Sequence, residues 1–245
     1  MAAVDLKSCY NRIAHSPAYL AMCSFGIPHE PITSMFKTLQ KNQHKTKTVH
    51  GVSECSFGGI ENGFKAAPQG VGQGNRTGPS IWAIVSSKMF EVLHKQGLAS
   101  KIHCLISKEV LELCGFAFVD NSDIIAVSNS ENNLDNRLTQ MQEVLDQWEK
   151  AAKVTGGAIE PRKCWVYIVH FEWDKNRWKY GKTPDRKLYA LDSSNNRKEV
   201  QAISSSQAEN MLGVFLAPDG NDKHQINHML DKAIQIGECT RTNHM

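Results

Sequence analysis

Two acids occupy positions where a charge is costly. Asp5 lies inside the apolar stretch Ala2-Ala3-Val4-Asp5-Leu6, and Asp120 ends the run Gly115-Phe116-Ala117-Phe118-Val119. A carboxylate flanked by strand-forming apolar residues loses hydration unless it is paired or binds a metal, so each is a candidate metal ligand. Asp is also common in tight turns, and Asp120-Asn121-Ser122-Asp123 reads as one, so Asp120 taken alone fits a turn equally well. Seven of the 17 Gly fall between residues 51 and 74, and Gly70-Val71-Gly72-Gln73-Gly74 reads as a loop that lets backbone approach a ligand closely. It is not a dinucleotide fingerprint, because Asn75 stands where the third Gly of that motif belongs.

The elements that must position these residues follow from hydrophobic periodicity. Ile13, Tyr19, Leu20, Met22 and Phe25 give a helical pattern stopped by Gly26. Pro28 and Pro31 open a second helix with Ile32, Met35, Phe36 and Leu39 on one side. The basic Lys41–Lys47 segment reads as a strand or loop. Pro79 to Leu93 is a helix ending before Gly97, and Leu113–Val119 with Ile124–Val127 reads as a hairpin around the acidic turn. Leu134, Leu138, Met141, Leu145, Trp148 and Ala152 form the strongest amphipathic helix of the chain, ended by Gly156-Gly157. Its apolar stripe is expected against the sheet carrying Phe116 and Phe118, on the face away from Asp5. Cys164–Trp173 reads as a strand with Arg177–Tyr180 returning beside it, Met211–Leu216 as a short strand, and Lys223–Ile236 as a last helix. Helices mixed with antiparallel hairpins make an α+β fold.

Composition narrows the class. The chain has 245 residues, 41% of them apolar, with 28 Lys plus Arg against 25 Asp plus Glu. That is the profile of a soluble globular protein of one or two domains. The sequence lacks the ~18 to 20 consecutive apolar residues of a membrane span and the apolar core of a signal peptide. Seven Cys without a C-x-x-C pair read as reduced thiols, so the expected setting is intracellular, nuclear or cytoplasmic, with no membrane partner. Between Trp173 and Lys187, six Lys and Arg residues interleave with Trp178 and Tyr180. That composition suits phosphate contact with base stacking, but it fits a solvated hairpin better.

Five segments in order carry a more specific signal: VDLKSCY at 4–10, GVGQGNRTGPS at 70–80, GFAFVDNSD at 115–123, GGAIEPRKC at 156–164 and MLGVFL at 211–216. This series resembles the palm of a reverse transcriptase, from Asp5 to about Leu216. The family shows an Asp five residues before an aromatic, a Gln-Gly loop leading into a helix, an aromatic-x-Asp-Asp hairpin, a Gly followed by a Lys, and a Leu-Gly strand. The resemblance implies an antiparallel sheet packed on helices, with residues 1–175 as palm and 176–245 as a connection region. It implies two Mg²⁺ ions at catalytic Asp5 and Asp120, with Asn121 as a neutral ligand where the family usually has a second Asp. Tyr10 would lie under the incoming sugar, Gln73 and Gly74 beside nucleotide and template, and Lys163 near the triphosphate. The implied partners are an RNA template, a DNA primer and deoxynucleoside triphosphates, and the implied source is a truncated retroelement.

Three departures qualify these expectations. Asn121 removes one negative charge from the metal site, the fingers that normally precede the first acid are expected to be missing, and the thumb is expected to be incomplete. The expected outcome is no measurable primer extension by this chain, unrescued by Asn121→Asp alone. A non-catalytic remnant that at most binds nucleic acid is the alternative. The oligomeric state is left open.

Overall fold

Alternation along the first strand decides which way the central sheet faces. The computed structural model describes residues 1–58, 69–72, 75–118, 121–127, 134–211 and 213–242. Strand β1 (Ala2–Asp5) buries Ala2 and Val4 and leaves Ala3 and Asp5 half-exposed. It is followed by helices α1 (Cys9–Arg12), α2 (His15–Ser24) and α3 (His29–Lys41), the hairpin β2 (His44–Thr48) and β3 (Gly51–Phe57), and helix α4 (Gly78–Lys95). Next come β4 (Ser100–His103), β5 (Val110–Leu113), β6 (Gly115–Phe118), β7 (Asn121–Ile124) and α5 (Leu134–Val154). A 3-10 turn at Pro161–Lys163 precedes β8 (Trp165–Tyr167), β9 (Phe171–Asp174), β10 (Arg177–Tyr180), β11 (Leu188–Leu191) and β12 (Arg197–Ile203). The hairpin β13 (Glu209–Met211) and β14 (Val214–Leu216) and helix α6 (Lys223–Thr242) complete the series.

The main sheet has six strands in the order β11-β12-β8-β1-β7-β6, antiparallel except for the parallel pair β12 and β8. One face, carrying Ala2, Val4, Ser122, Ile124 and Val166, is buried in a core shared with α4 and α5. Leu138, Leu145 and Trp148 of α5 are buried, and the Trp148 ring meets Phe90 of α4 at 4.7 Å between centroids. Helix α5 also closes the sheet edge. Gln142 takes the N–H of Tyr189 (2.8 Å) and donates to its C=O (2.8 Å), while the Glu149 carboxylate accepts from Leu191 N–H (2.8 Å). Strand β11 thereby offers fewer free backbone groups to a passing strand.

The glycine stops act as the sequence suggests. Helices α2, α4 and α5 end at Gly26, Gly97 and Gly156, each at positive φ. In each, the glycine N–H and the next N–H return to carbonyls of the last turn: Gly26 to Cys23 and Ile27 to Met22, Gly97 to His94 and Leu98 to Leu93, Gly156 to Lys153 and Gly157 to Ala152. This is the Schellman arrangement, which needs a left-handed residue.

Other expectations require correction. Asn121, Ser122 and Asp123 belong to strand β7 rather than to a turn, because they pair with Phe118, Ala117 and Phe116. Leu113 belongs to β5, which pairs with β4 in a separate hairpin that periodicity did not reveal. Helix α5 does bury Leu138, Leu145 and Trp148 on the sheet side away from Asp5, as expected, but Phe116 and Phe118 are no part of that face. They lie opposite Asp123 and Asn121, so they share the outer face, and both stay exposed. Cys164–Trp173 is not one strand: β8 stays in the main sheet, whereas β9 leaves it to pair with β10. Met211–Leu216 is a hairpin around Gly213, which has φ 88°, rather than a single strand.

Among the described residues no helix is long and apolar enough to cross a membrane. Two outcomes test the packing. Trp148→Ala should lower unfolding stability by ~3–5 kcal/mol in denaturant titration, as expected for deleting a fully buried indole. In thiol labelling of the native protein, exposed Cys55, Cys104 and Cys239 should react fast, and buried Cys9, Cys114 and Cys164 only on unfolding. Hydrogen bonding from Ser107 holds the Cys104 thiol below the ordinary range, so its labelling should persist to lower pH than that of a free thiol.

Candidate functional site

The outer face of the sheet centre gathers the polar residues that the core face excludes. Asp5 lies directly opposite Asn121, and Ala3 directly opposite Asp123, in the antiparallel β1–β7 register. Directly opposed side chains project to one side of a sheet, so Asp5, Asn121 and Asp123 share a face. They line one open cavity of about 220 Å³ together with Lys163, Trp165, Asn210 and Met211. The Lys163 ammonium stands 3.8 Å from Asp5 Oδ1 and is mostly exposed, so it offsets charge loosely.

Asp5 is held by its backbone. Its C=O accepts from Glu160 N–H (3.0 Å), and its N–H donates to Cys164 Sγ (3.4 Å). Cys164 is buried behind it, and burial pushes its thiol up to about 12. The thiol is therefore neutral and packs behind the strand. The backbone contacts continue upstream: Lys7 N–H reaches Ala158 O (2.9 Å) and Ala14 N–H reaches Thr155 O (2.8 Å). Residues 155–164 thus run alongside residues 5–14, and this is what brings Lys163 to Asp5.

Asp123 is the residue that sequence reasoning sets aside, as wrongly spaced to replace the second Asp whose place Asn121 takes. It reads as a turn acid by composition, yet in β7 it points into the same cavity as Asp5, and burial lifts its carboxyl to about 6. The available signal was its spacing of two from Asn121, which places both on one face of any strand. Ser122, between them, faces the core and is 1% exposed.

Tyr10 and the glycine loop form a second cluster. Val71 N–H donates to Tyr10 O (2.8 Å) and Gly70 N–H to Ile13 O (2.9 Å), while Gly70 O meets His15 Nε2 (2.7 Å). A Cβ on Gly70 would stand 2.5 Å from the Asn11 carbonyl carbon, so glycine is required there twice over, by φ +84° and by contact. The Tyr10 ring packs at Gly78, the first residue of α4, where a Cβ would lie 3.2 Å from Cδ1. Tyr10 does not line the Asp5 cavity. Asp120, Gln73 and Gly74 lie outside the described residues.

Asp5, Asp123 and the Asn121 amide offer the cavity oxygen donors, which suit a hard divalent cation. Among the described residues no three His, Cys, Asp or Glu side chains converge closely enough to define a metal site.

No curated protein matches the chain. Residues 1–213 match the family described as Reverse transcriptase (RNA-dependent DNA polymerase), with Asp5, Asn121 and Lys163 all inside the matched span. A match over most of the chain decides the question, and the protein belongs to the reverse transcriptase family.

Proposed function

We propose that the chain carries an RNA-directed DNA polymerase site of retroelement origin, weakened in metal binding by Asn121. The observation that supports the reading is the pairing of Asp5 with Asn121 across β1 and β7, on the sheet face that bears the cavity. On this reading Asp5 and Asp120 are the catalytic carboxylates, and Asn121 contributes an amide oxygen beside them. Two Mg²⁺ ions, when bound there, would activate the primer 3′-hydroxyl and neutralise the leaving pyrophosphate. The protein groups fix where those charges lie. Lys163 contributes a cation near the triphosphate, Tyr10 a ring beneath the sugar, and Gln73 with Gly74 a backbone that admits nucleotide and template. An RNA template, a DNA primer and deoxynucleoside triphosphates are the proposed partners.

Charge sets the strength of the site. Two divalent ions bring four positive charges, and with Asn121 the proposed ligands Asp5 and Asp120 return only two. Asp123 adds a third carboxyl to the same face, but its burial makes ionisation costly and so limits what it returns. The neutral Asn121 also favours a second reading, a non-catalytic remnant that retains nucleic-acid binding alone.

Mn²⁺ titration followed by electron paramagnetic resonance separates the terms without needing turnover. Asn121→Asp should tighten metal binding by about tenfold, and Asp5→Ala should abolish it, since ligand charge count tunes affinity at oxygen sites. Failure of Asn121→Asp to tighten binding would remove the metal-site proposal. Template-dependent, Mg²⁺-dependent incorporation that vanishes in Asp5→Ala supports the polymerase reading; nucleic-acid binding without incorporation, in the chain and in Asn121→Asp alike, supports the remnant.

A further inference from the structure

The β9–β10 hairpin carries an aromatic ladder that the polymerase site does not use. Phe171 lies opposite Tyr180, and Trp173 opposite Trp178, so all four rings occupy one face. Ring centroids are 4.9 Å apart in the first pair and 5.1 Å in the second. The turn residues Lys175 and Asn176 both have positive φ, 47° and 59°, which gives the two-residue hairpin turn whose twist matches the strands. The ladder is therefore held in place, yet it is uncovered: Trp173 is 58% exposed and Trp178 67%. Exposing two indoles side by side costs solvation that a packed fold normally recovers.

The opposite face of the hairpin pairs Glu172 with Lys179 and Asp174 with Arg177, and an ion pair joins Lys179 to Asp174. Gly181 N–H donates to His170 O (2.9 Å), extending the hairpin's ladder by one bond, and Tyr180 OH donates to Pro218 O (2.9 Å), anchoring its base to the rest of the chain. Around the ladder, residues 170–187 hold six Lys and Arg against three Asp and Glu, a surplus equal to the formal charge of the whole chain. Lys175, Arg177 and Lys182 form no ion pair among the described residues.

We propose that this hairpin binds single-stranded nucleic acid, stacking unpaired bases on Trp173 and Trp178 while Lys175 at the turn and Lys182 beyond the strand meet the phosphates. Flat aromatic rings accept any base, whereas a duplex has its base faces already occupied. The cationic rim selects a polyanion over an apolar protein surface. The choice of partner class rests on the proposed function, but the binding needs neither metal nor nucleotide. Measurement in EDTA therefore keeps its failure distinct from failure of the polymerase site.

The test uses the full chain and a labelled oligouridylate of about 12 nucleotides, followed by anisotropy and by tryptophan emission. Trp82 and Trp148 are buried and Trp165 is half-buried at the Asp5 cavity, so the share of the quenching lost in the double Ala variant reports Trp173 and Trp178. The double variant Trp173→Ala/Trp178→Ala should weaken binding by about tenfold or more, with the salt dependence unchanged. The double variant with Phe at both positions should bind within about threefold of the unmodified chain while losing most of the quenching. In the Lys175→Ala/Lys182→Ala variant the salt dependence should become shallower. Unchanged emission on adding oligonucleotide, or equal binding by the double Ala variant, would overturn the proposal. So would a dimer in sedimentation that dissociates in the double Ala variant without any oligonucleotide binding, because the ladder would then serve contact between copies.

Discussion

The antiparallel register between β1 and β7 is the constraint on which the rest of the structure depends. It sets Ala2 against Ile124 and Val4 against Ser122 on the core side, and Asp5 against Asn121 on the other. A slip by one residue would turn Val4 and Ile124 to solvent and drive Asp5 and Asp123 into the apolar core. The hydrophobic penalty for the first and the desolvation penalty for the second act in the same direction. The core that buries Trp148 and Leu145 and the cleft that gathers the acids are thus two consequences of one register.

Close backbone approaches hold that register in its surroundings. Gly115, where β6 starts, faces the Asp123 carbonyl so closely that no Cβ fits. Gly156 comes as near to the Arg12 carbonyl, and Gly70 to the Asn11 backbone. These glycines come from three separated parts of the sequence, and each lets one segment lie against β7 or against α1 and its end. The glycine content of the chain therefore serves proximity as well as turning, and the segments so joined carry the cleft residues and their neighbours.

What was legible in the sequence was what is local. The helices at Pro79–Leu93 and Leu134–Ala152 show their apolar stripe over several turns, and Gly26, Gly97 and Gly156 mark their own ends because left-handed backbone selects glycine. The β9–β10 hairpin was legible because its partners are near in sequence. Strand pairing across long separations was not: β12 joins β8 in parallel and β1 joins β7 through contacts that no short window contains. The same limit hid the outward orientation of Phe116 and Phe118 and the place of Asp123. Composition made Asp120–Asp123 a turn, whereas pairing with β6 and β1 makes Asn121–Asp123 a strand. Asp5, Asn121 and Lys163 were singled out through the order of the motifs, and they line one cavity; Tyr10 was singled out in the same way and lies with the glycine loop instead.

The account centres on a divalent cation between β1 and β7. Its most direct test is the broadening of backbone amide signals by substoichiometric Mn²⁺ in nuclear magnetic resonance, because paramagnetic relaxation depends on distance to the ion. The account predicts that the amides of Ala3–Asp5, Asn121–Asp123 and Lys163–Trp165 broaden first and recover on adding excess Mg²⁺. Broadening confined to other segments, or none at Asp5 and Asn121 when Mn²⁺ is raised, would contradict it.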